Sequence, residues 1–248
     1  MMLLIDLGNT RLKWASLADG RMRPGGVFAH AGHELGARLR GEWNDLARPA
    51  RVLVASVLDE ERERQLDAHL RERFGVAAEF VRSPAHALGV RNAYAEPARL
   101  GVDRFLALAA LHAREAQPQL LASVGTAMTL DLLDGEGHHH GGLILPAPQL
   151  MRASLRIGTA RLDVVDGRWS ALPDNTADAV FSGSLHAAAG AVERFAEVAT
   201  QRLGVQPALF LTGGGGEELA ERLPTARRVH DLVLEGLALW AAVPAYHR

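Results

Sequence analysis

Leu3-Leu4-Ile5-Asp6-Leu7-Gly8-Asn9-Thr10-Arg11-Leu12-Lys13 is the stretch on which the fold turns. A short apolar run stops at Gly8-Asn9, resumes from Leu12 to Leu17, and stops again at Asp19-Gly20. Apolar runs bounded by Gly, Asn and Asp read as a β-hairpin. The pattern restarts after Gln117-Pro118, where Leu120-Leu121-Ala122-Ser123-Val124-Gly125-Thr126 lies over Leu3 to Asn9. A second strand, Met128 to Leu133, and a second turn, Asp134-Gly135, complete the copy. Identities are few, but strand, Gly turn, strand and Asp-Gly turn recur in the same order.

Outward from each hairpin, strands alternate with helices. Val52 to Val57 has the β-branched content of a buried strand, and Glu60 to Phe74 carries Leu66, Leu70 and Phe74 on one helical stripe. Asp103 to Arg114 is an Ala/Leu-rich helix with an acid in its first turn, where a carboxylate suits the helix dipole. In the second half, a helix is expected from about Ala177 to Leu203. A strand over Ala208 to Leu211, a glycine run from Gly213 to Gly216 and a last helix over Val233 to Ala242 follow. The class is α/β, with two similar halves, residues 1–117 and 118–248, and a ligand cleft expected between them.

The chain has 248 residues, enough for one large or two small domains, and its 48% hydrophobic and 23% charged composition is that of a globular protein. With 27 Lys+Arg against 29 Asp+Glu, nothing points to a dedicated nucleic-acid binder. No cysteine is present, which excludes disulfides and thiolate chemistry. Asp6 interrupts the N-terminal apolar run, which argues against a signal peptide, and no run approaches the roughly 18 residues of a membrane span. A cytoplasmic protein is expected. Lys13 is the only lysine.

Four segments suit chemistry. In Asp6 to Lys13, the Gly turn offers backbone N–H groups, Asn9 and Thr10 add donors, Lys13 reaches a phosphate oxygen, and Asp6 suits a Mg²⁺ ion held through water. An ordinary hairpin turn explains the octapeptide equally well. Gly125-Thr126 is its counterpart, and the pair together would clamp a phosphate chain. In Tyr94-Ala95-Glu96-Pro97-Ala98-Arg99-Leu100-Gly101-Val102-Asp103-Arg104, an Asp beside an Arg can take a hydroxyl proton while the Arg binds an anion. Taken alone, Asp103 reads as a helix-start carboxylate. Gly213 to Gly216 has more glycine than a turn requires, and the excess is expected to admit a nucleotide base or ribose. His138-His139-His140, between glycines, is expected to be an exposed hairpin loop and not a metal site. No P-loop or Rossmann fingerprint occurs.

Taken together, these segments resemble the type III pantothenate kinases of the acetate kinase/sugar kinase/Hsp70/actin superfamily, some of whose relatives are called Bvg accessory factors. The resemblance rests on Asp6 to Thr10 with Lys13, and on Tyr94, Pro97 and Leu100-Gly101-Val102-Asp103-Arg104. Gly125-Thr126-Ala127, Gly141-Gly142 before Pro146, Asn175-Thr176 and Leu232 to Leu237 extend it over nearly the whole chain. It implies a duplicated ribonuclease H-like fold and phosphorylation of pantothenate by ATP with Mg²⁺, the first step towards coenzyme A. It places ATP against Asp6, Leu7, Gly8, Asn9, Thr10, Arg11, Leu12, Lys13 and Thr126. Asp103 becomes the proton acceptor, and Tyr94, Gly101, Val102, Asp103 and Arg104 hold pantothenate. Thr176 would serve the neighbouring subunit of a homodimer.

Two positions depart from the family pattern. Ser123 replaces an Asp that helps hold a monovalent cation, K⁺ or NH₄⁺, so weaker dependence on that cation is expected. Ala147 replaces the Gly that follows Pro146. The alternative function is a non-catalytic nucleotide-binding regulator on the same scaffold, against which Asp6, Lys13, Asp103 and Arg104 all speak.

Overall fold

A computed structural model describes residues 1–30, 35–158 and 167–244. The chain divides into two compact units: residues 1–115 with the stretch from Asp231 onward, and residues 116–230. No helix among the described residues is long and apolar enough to cross a membrane.

The first unit begins with β1 (Met2–Leu7), β2 (Arg11–Ala18) and β3 (Arg21–Ala29), followed by α1 (Leu35–Glu42), β4 (Arg51–Ser56), α2 (Glu60–Phe74) and β5 (Ala78–Val81). A two-stranded ribbon, β6 (His86–Ala87) and β7 (Val90–Arg91), leads to α3 (Val102–Arg114). Its sheet has the order β3-β2-β1-β4-β5. The first three strands are antiparallel neighbours, and β1, β4 and β5 run parallel.

Alternation along β1 sorts its side chains. Leu3, Ile5 and Leu7 enter a core with Val52, Val54, Leu66, Leu70, Phe74 and Trp43 on the α1/α2 side. Asp6 therefore points to the opposite face, with Leu4. Helix α2 starts at Asp59, whose side chain accepts from the Arg62 N–H, and stops at Gly75 in the left-handed region.

The second unit repeats the plan: β8 (Gln119–Val124), β9 (Ala127–Leu133), β10 (His139–Pro146), α4 (Pro148–Gly158), α5 (Thr176–Leu203), β11 (Ala208–Thr212), α6 (Gly216–Ala220) and β12 (Arg227–Arg228). Its order, β10-β9-β8-β11-β12, is that of the first sheet strand for strand. Leu120, Ala122 and Val124 pack with Leu185, Ala188 and Val192 of α5. Ser123, the counterpart of Asp6, faces the other way.

The last helix, α7 (Leu232–Ala242), departs from the expected division into 1–117 and 118–248. It joins the first unit, packing on α3, β1 and β4. Gly236 sits so near the Leu106 carbonyl that a Cβ there would collide with backbone, and Arg114 at the end of α3 donates from Nε to Glu235 at 2.9 Å. A helix this apolar is stable only with most of its surface covered, and α3 with the sheet supplies that cover.

The histidine run also departs from expectation. His139 begins β10 and is buried, its Nε2 2.9 Å from Asp131 Oδ1 on the paired strand. His138 and His140 flank Asp134, at 3.1 and 2.8 Å from its Oδ2. The run leads from the Gly135-Glu136 turn into β10 and holds one core histidine, and no group of three or more His, Cys, Asp or Glu able to hold a metal ion occurs among the described residues.

Candidate active site

The turn after β1 is closed by the Gly8 N–H donating to the Arg11 carbonyl at 3.0 Å. His30, buried, donates from Nε2 to the Gly8 carbonyl at 2.9 Å, and its own N–H meets the Thr10 carbonyl. His30 thus braces the turn from behind, a role with no local signal in the sequence. Leu7 and Leu12 are core residues, while Asn9, Thr10 and Arg11 are exposed.

Asp6 and Lys13 are cross-strand partners on one face of the sheet. That face is covered by α3 and α7, which bring Asp103 and Asp231 from their N-terminal ends. Desolvation first, then the Asp103 charge, push the Asp6 carboxyl up to about 7; Lys13 opposes the rise and Asp231 adds to it. Lys13 Nζ lies 4.0 Å from Asp231 Oδ1. Oxygen donors crowded against too little positive charge are the set that a hard divalent cation relieves. Asp6 therefore suits a Mg²⁺ ion held through its water shell, with no cluster of three direct protein ligands among the described residues.

Asp103 is the second residue of α3, after Val102 and the N-cap Gly101. Its Oδ1 accepts from the Arg104 N–H at 2.8 Å. Gly101 leaves room for its neighbour: a Cβ would lie 2.6 Å from Asp103 Oδ1. Arg104 is buried and donates from Nη1 to the Tyr94 hydroxyl at 3.0 Å. The preceding loop is fixed by two residues that sequence reasoning passed over. Asn92 donates to the Pro84 and Pro97 carbonyls and accepts from the Tyr94 N–H. Ser83, buried, donates to the Leu100 carbonyl at 2.7 Å. The Asn-x-Tyr spacing is an Asx-turn signal that marks the first of these.

Asp6, Lys13 and Asp103 are thus electrostatic neighbours, and Tyr94, Gly101, Val102 and Arg104 form the segment beside Asp103. Asp231 was missed, although its place before an apolar helix is a visible N-cap signal.

Ser123 and Thr126 belong to the second unit. Ser123 lies between Thr129 and Thr212 on the adjacent strands. The Gly125 N–H donates to Ala127 O at 2.9 Å, closing the turn that carries Thr126, and the Ala147 N–H meets Thr126 O at 3.4 Å. Ala147 itself is a core residue. Two members of the glycine run have a packing reason of their own: Gly213 has φ +92°, and a Cβ on it or on Gly215 would strike Val124, so the strand end demands glycine at both. Thr176 opens α5 behind the N-cap Asn175. It lines a cavity of about 760 Å³ with Met151, Leu155 and Ser184.

The family model for type III pantothenate kinase matches residues 2–198. A type III pantothenate kinase of Laribacter hongkongensis is 43% identical over 239 residues, 96% of this chain and 97% of that protein. The chain belongs to the type III pantothenate kinase family. Another member, from Xanthomonas campestris pv. campestris, is 43% identical over 238 residues, 96% of each chain.

Solved structures show how far the fold extends beyond the family. A Sinorhizobium meliloti protein assigned as a 2-dehydro-3-deoxygalactonokinase superposes with a TM-score of 0.62 at 15% identity, covering 98% of this chain and all of that one. A Campylobacter jejuni protein assigned to the Baf family of transcriptional activators gives 0.57 at 19%, with 95% and 94% coverage. The fold is the duplicated ribonuclease H-like fold of sugar kinases and actin-like ATPases.

Proposed function

We propose that this chain transfers the γ-phosphoryl group of ATP to the terminal hydroxyl of pantothenate, giving 4'-phosphopantothenate and ADP, the first step towards coenzyme A. The observation that carries this reading is the meeting of Asp6, Lys13 and Asp103 on one face of the first sheet, beside the Arg104–Tyr94 pair.

Phosphoryl transfer needs mainly positioning and charge neutralisation. The Gly8 turn, Asn9, Thr10 and Lys13 hold the phosphates, and Thr126 is a further nucleotide-binding residue. Asp6 would hold Mg²⁺ through its water shell, and the ion, when bound, would supply positive charge to the phosphates. Asp103 accepts the proton of the pantothenate hydroxyl as its oxygen bonds to phosphorus and ADP leaves. Arg104, held by Tyr94, binds the pantothenate carboxylate, while Gly101 and Val102 shape the backbone around it. Thr176 completes the pocket of a second copy in a homodimer. The exposed apolar side chains Ile144, Leu150, Leu155 and Leu172 support a partner of that kind. The composition and the nature of the site suit small-molecule work in the cytoplasm, with neither membrane nor nucleic acid as a partner.

The test is a coupled assay of purified protein with ATP, Mg²⁺ and pantothenate, with and without K⁺. Turnover is expected, and Asp103→Asn is expected to lower kcat by about 10²–10⁴-fold with the fold intact. A folded variant with wild-type kcat would reduce Asp103 to a helix-start carboxylate.

A further inference from the structure

Asp231 occupies an N-cap position but does not cap. It precedes α7 in the left-handed region, φ 55° and ψ 21°, and its side chain makes no capping hydrogen bond. A non-glycine residue in that conformation is uncommon and is held there by its surroundings. Here the surroundings are explicit. Gly236 against Leu106 and Glu235 on Arg114 fix the first turns of α7 on α3. Asp231 is thereby aimed at Lys13, whose Nζ lies 4.0 Å away.

Lys13 has a second carboxylate at hand. Asp6 is its direct partner across the β1–β2 ladder, and opposite charges so placed ordinarily pair. Among the described residues, the ion pair of Lys13 is nevertheless with Asp231 and not with Asp6.

We propose that Asp231 is a positioning residue for the phosphate-transfer site: its carboxylate draws the Lys13 ammonium off Asp6 and leaves Asp6 open to the water shell of the divalent cation. The inference rests on the kinase reading above. It also accords with the backbone at 231, where the left-handed conformation goes with a side chain that makes no capping bond to its own helix and lies within 4.0 Å of Lys13.

Asn and Gly both accept the left-handed region, so Asp231→Asn and Asp231→Gly remove the charge and keep the backbone. In each, Lys13 closes on Asp6. Mn²⁺ titrated by electron spin resonance in the presence of a non-hydrolysable ATP analogue is then expected to bind about three- to fivefold more weakly, the scale of a partly exposed ion pair. Half-saturating Mg²⁺ for turnover rises by the same factor, while the KM for pantothenate holds. In an Asp6→Asn background the change at Asp231 has no further effect on Mn²⁺ binding, a non-additivity that a merely structural role would not produce.

Unchanged Mn²⁺ affinity in a folded Asp231→Asn protein overturns the proposal. So does an equal loss in the Asp6→Asn background, and so does failure of both variants to fold. A wild-type protein that binds Mn²⁺ with the analogue but does not phosphorylate pantothenate overturns the kinase reading instead.

Discussion

Gly101 is shaped by Asp103: the space a side chain would fill at 101 is taken by the carboxylate Oδ1, 2.6 Å from the position of a Cβ. The Asp103 carboxylate is a short, rotatable group, so Gly101→Ala displaces it without breaking the fold. The expected result is a thermal midpoint close to wild type and a kcat lowered by about 10²-fold, the lower end of what loss of a general base costs. Circular dichroism melting and steady-state kinetics on the same preparation check both halves. A Gly101→Ala protein with normal kcat would mean that the carboxylate works from another rotamer.

Gly236 is constrained by backbone instead, and the outcome differs. A Cβ there meets the Leu106 carbonyl, and neither helix can yield without separating α3 from α7. Gly236→Ala is expected to destabilise by about 1–3 kcal/mol, the range for overpacking. Gly190, exposed in the middle of α5, has open space around it. Gly190→Ala is expected to be neutral or to stabilise by up to about 1 kcal/mol. Urea denaturation of the two variants should move in these opposite senses.

These two glycines also mark where the sequence was readable. The hairpin at Leu3 to Leu17 and its copy at Leu120 to Leu133 were legible because strand alternation and Gly turns are local. Asp103 and Arg104 were legible as a pair because both lie at one helix start. The place of α7 was not: an apolar helix can cover either unit, and Gly236 chooses only once Leu106 stands against it. Asp231 and His30 act through residues far away in the chain, and His139 looked like a loop residue because glycines flank the run. The meaning of Gly213 likewise depended on Val124, a strand that only the folded sheet brings beside it.

Asp67 joins α2 to β5. Its Oδ1 accepts from the Ala78 N–H at 2.7 Å and its Oδ2 from Arg71 Nε at 2.8 Å. Burial by itself would raise this carboxyl, but the Arg71 and Ala78 bonds outweigh it and hold it below the ordinary carboxylate range. A depressed folded-state value stabilises above the unfolded-state value, near 3.9, and that contribution fades as pH falls through the folded value. Asp67→Asn is therefore expected to cost about 1 kcal/mol from pH 5 to 8, discounted for the exposed Arg71 contact. The gap to wild type should close below about pH 4. Denaturant midpoints across that pH series measure it, and a gap that persists undiminished at pH 3 would assign the effect to packing.

Ser123 is the residue whose substitution tests the cation chemistry. By strand order and register it stands in the second sheet where Asp6 stands in the first. Asp6 has Lys13 across its ladder; Ser123 lies between Thr129 on β9 and Thr212 on β11, so this level of the second sheet is a row of three hydroxyl side chains. The family resemblance places a carboxylate at Ser123 that faces a monovalent cation. A hydroxyl offers that cation a dipole where a carboxylate offers a full charge, and the attraction falls accordingly. K⁺ is therefore expected to activate weakly and only at high concentration. Ser123→Asp is expected to lower the half-activating K⁺ concentration, since Thr129 and Thr212 remain beside it as further oxygen donors. The measurement is initial rate against KCl at constant ionic strength, balanced by a large inert cation. Tight, saturable activation in the wild type that Ser123→Asp leaves unaltered would place the cation ligands elsewhere.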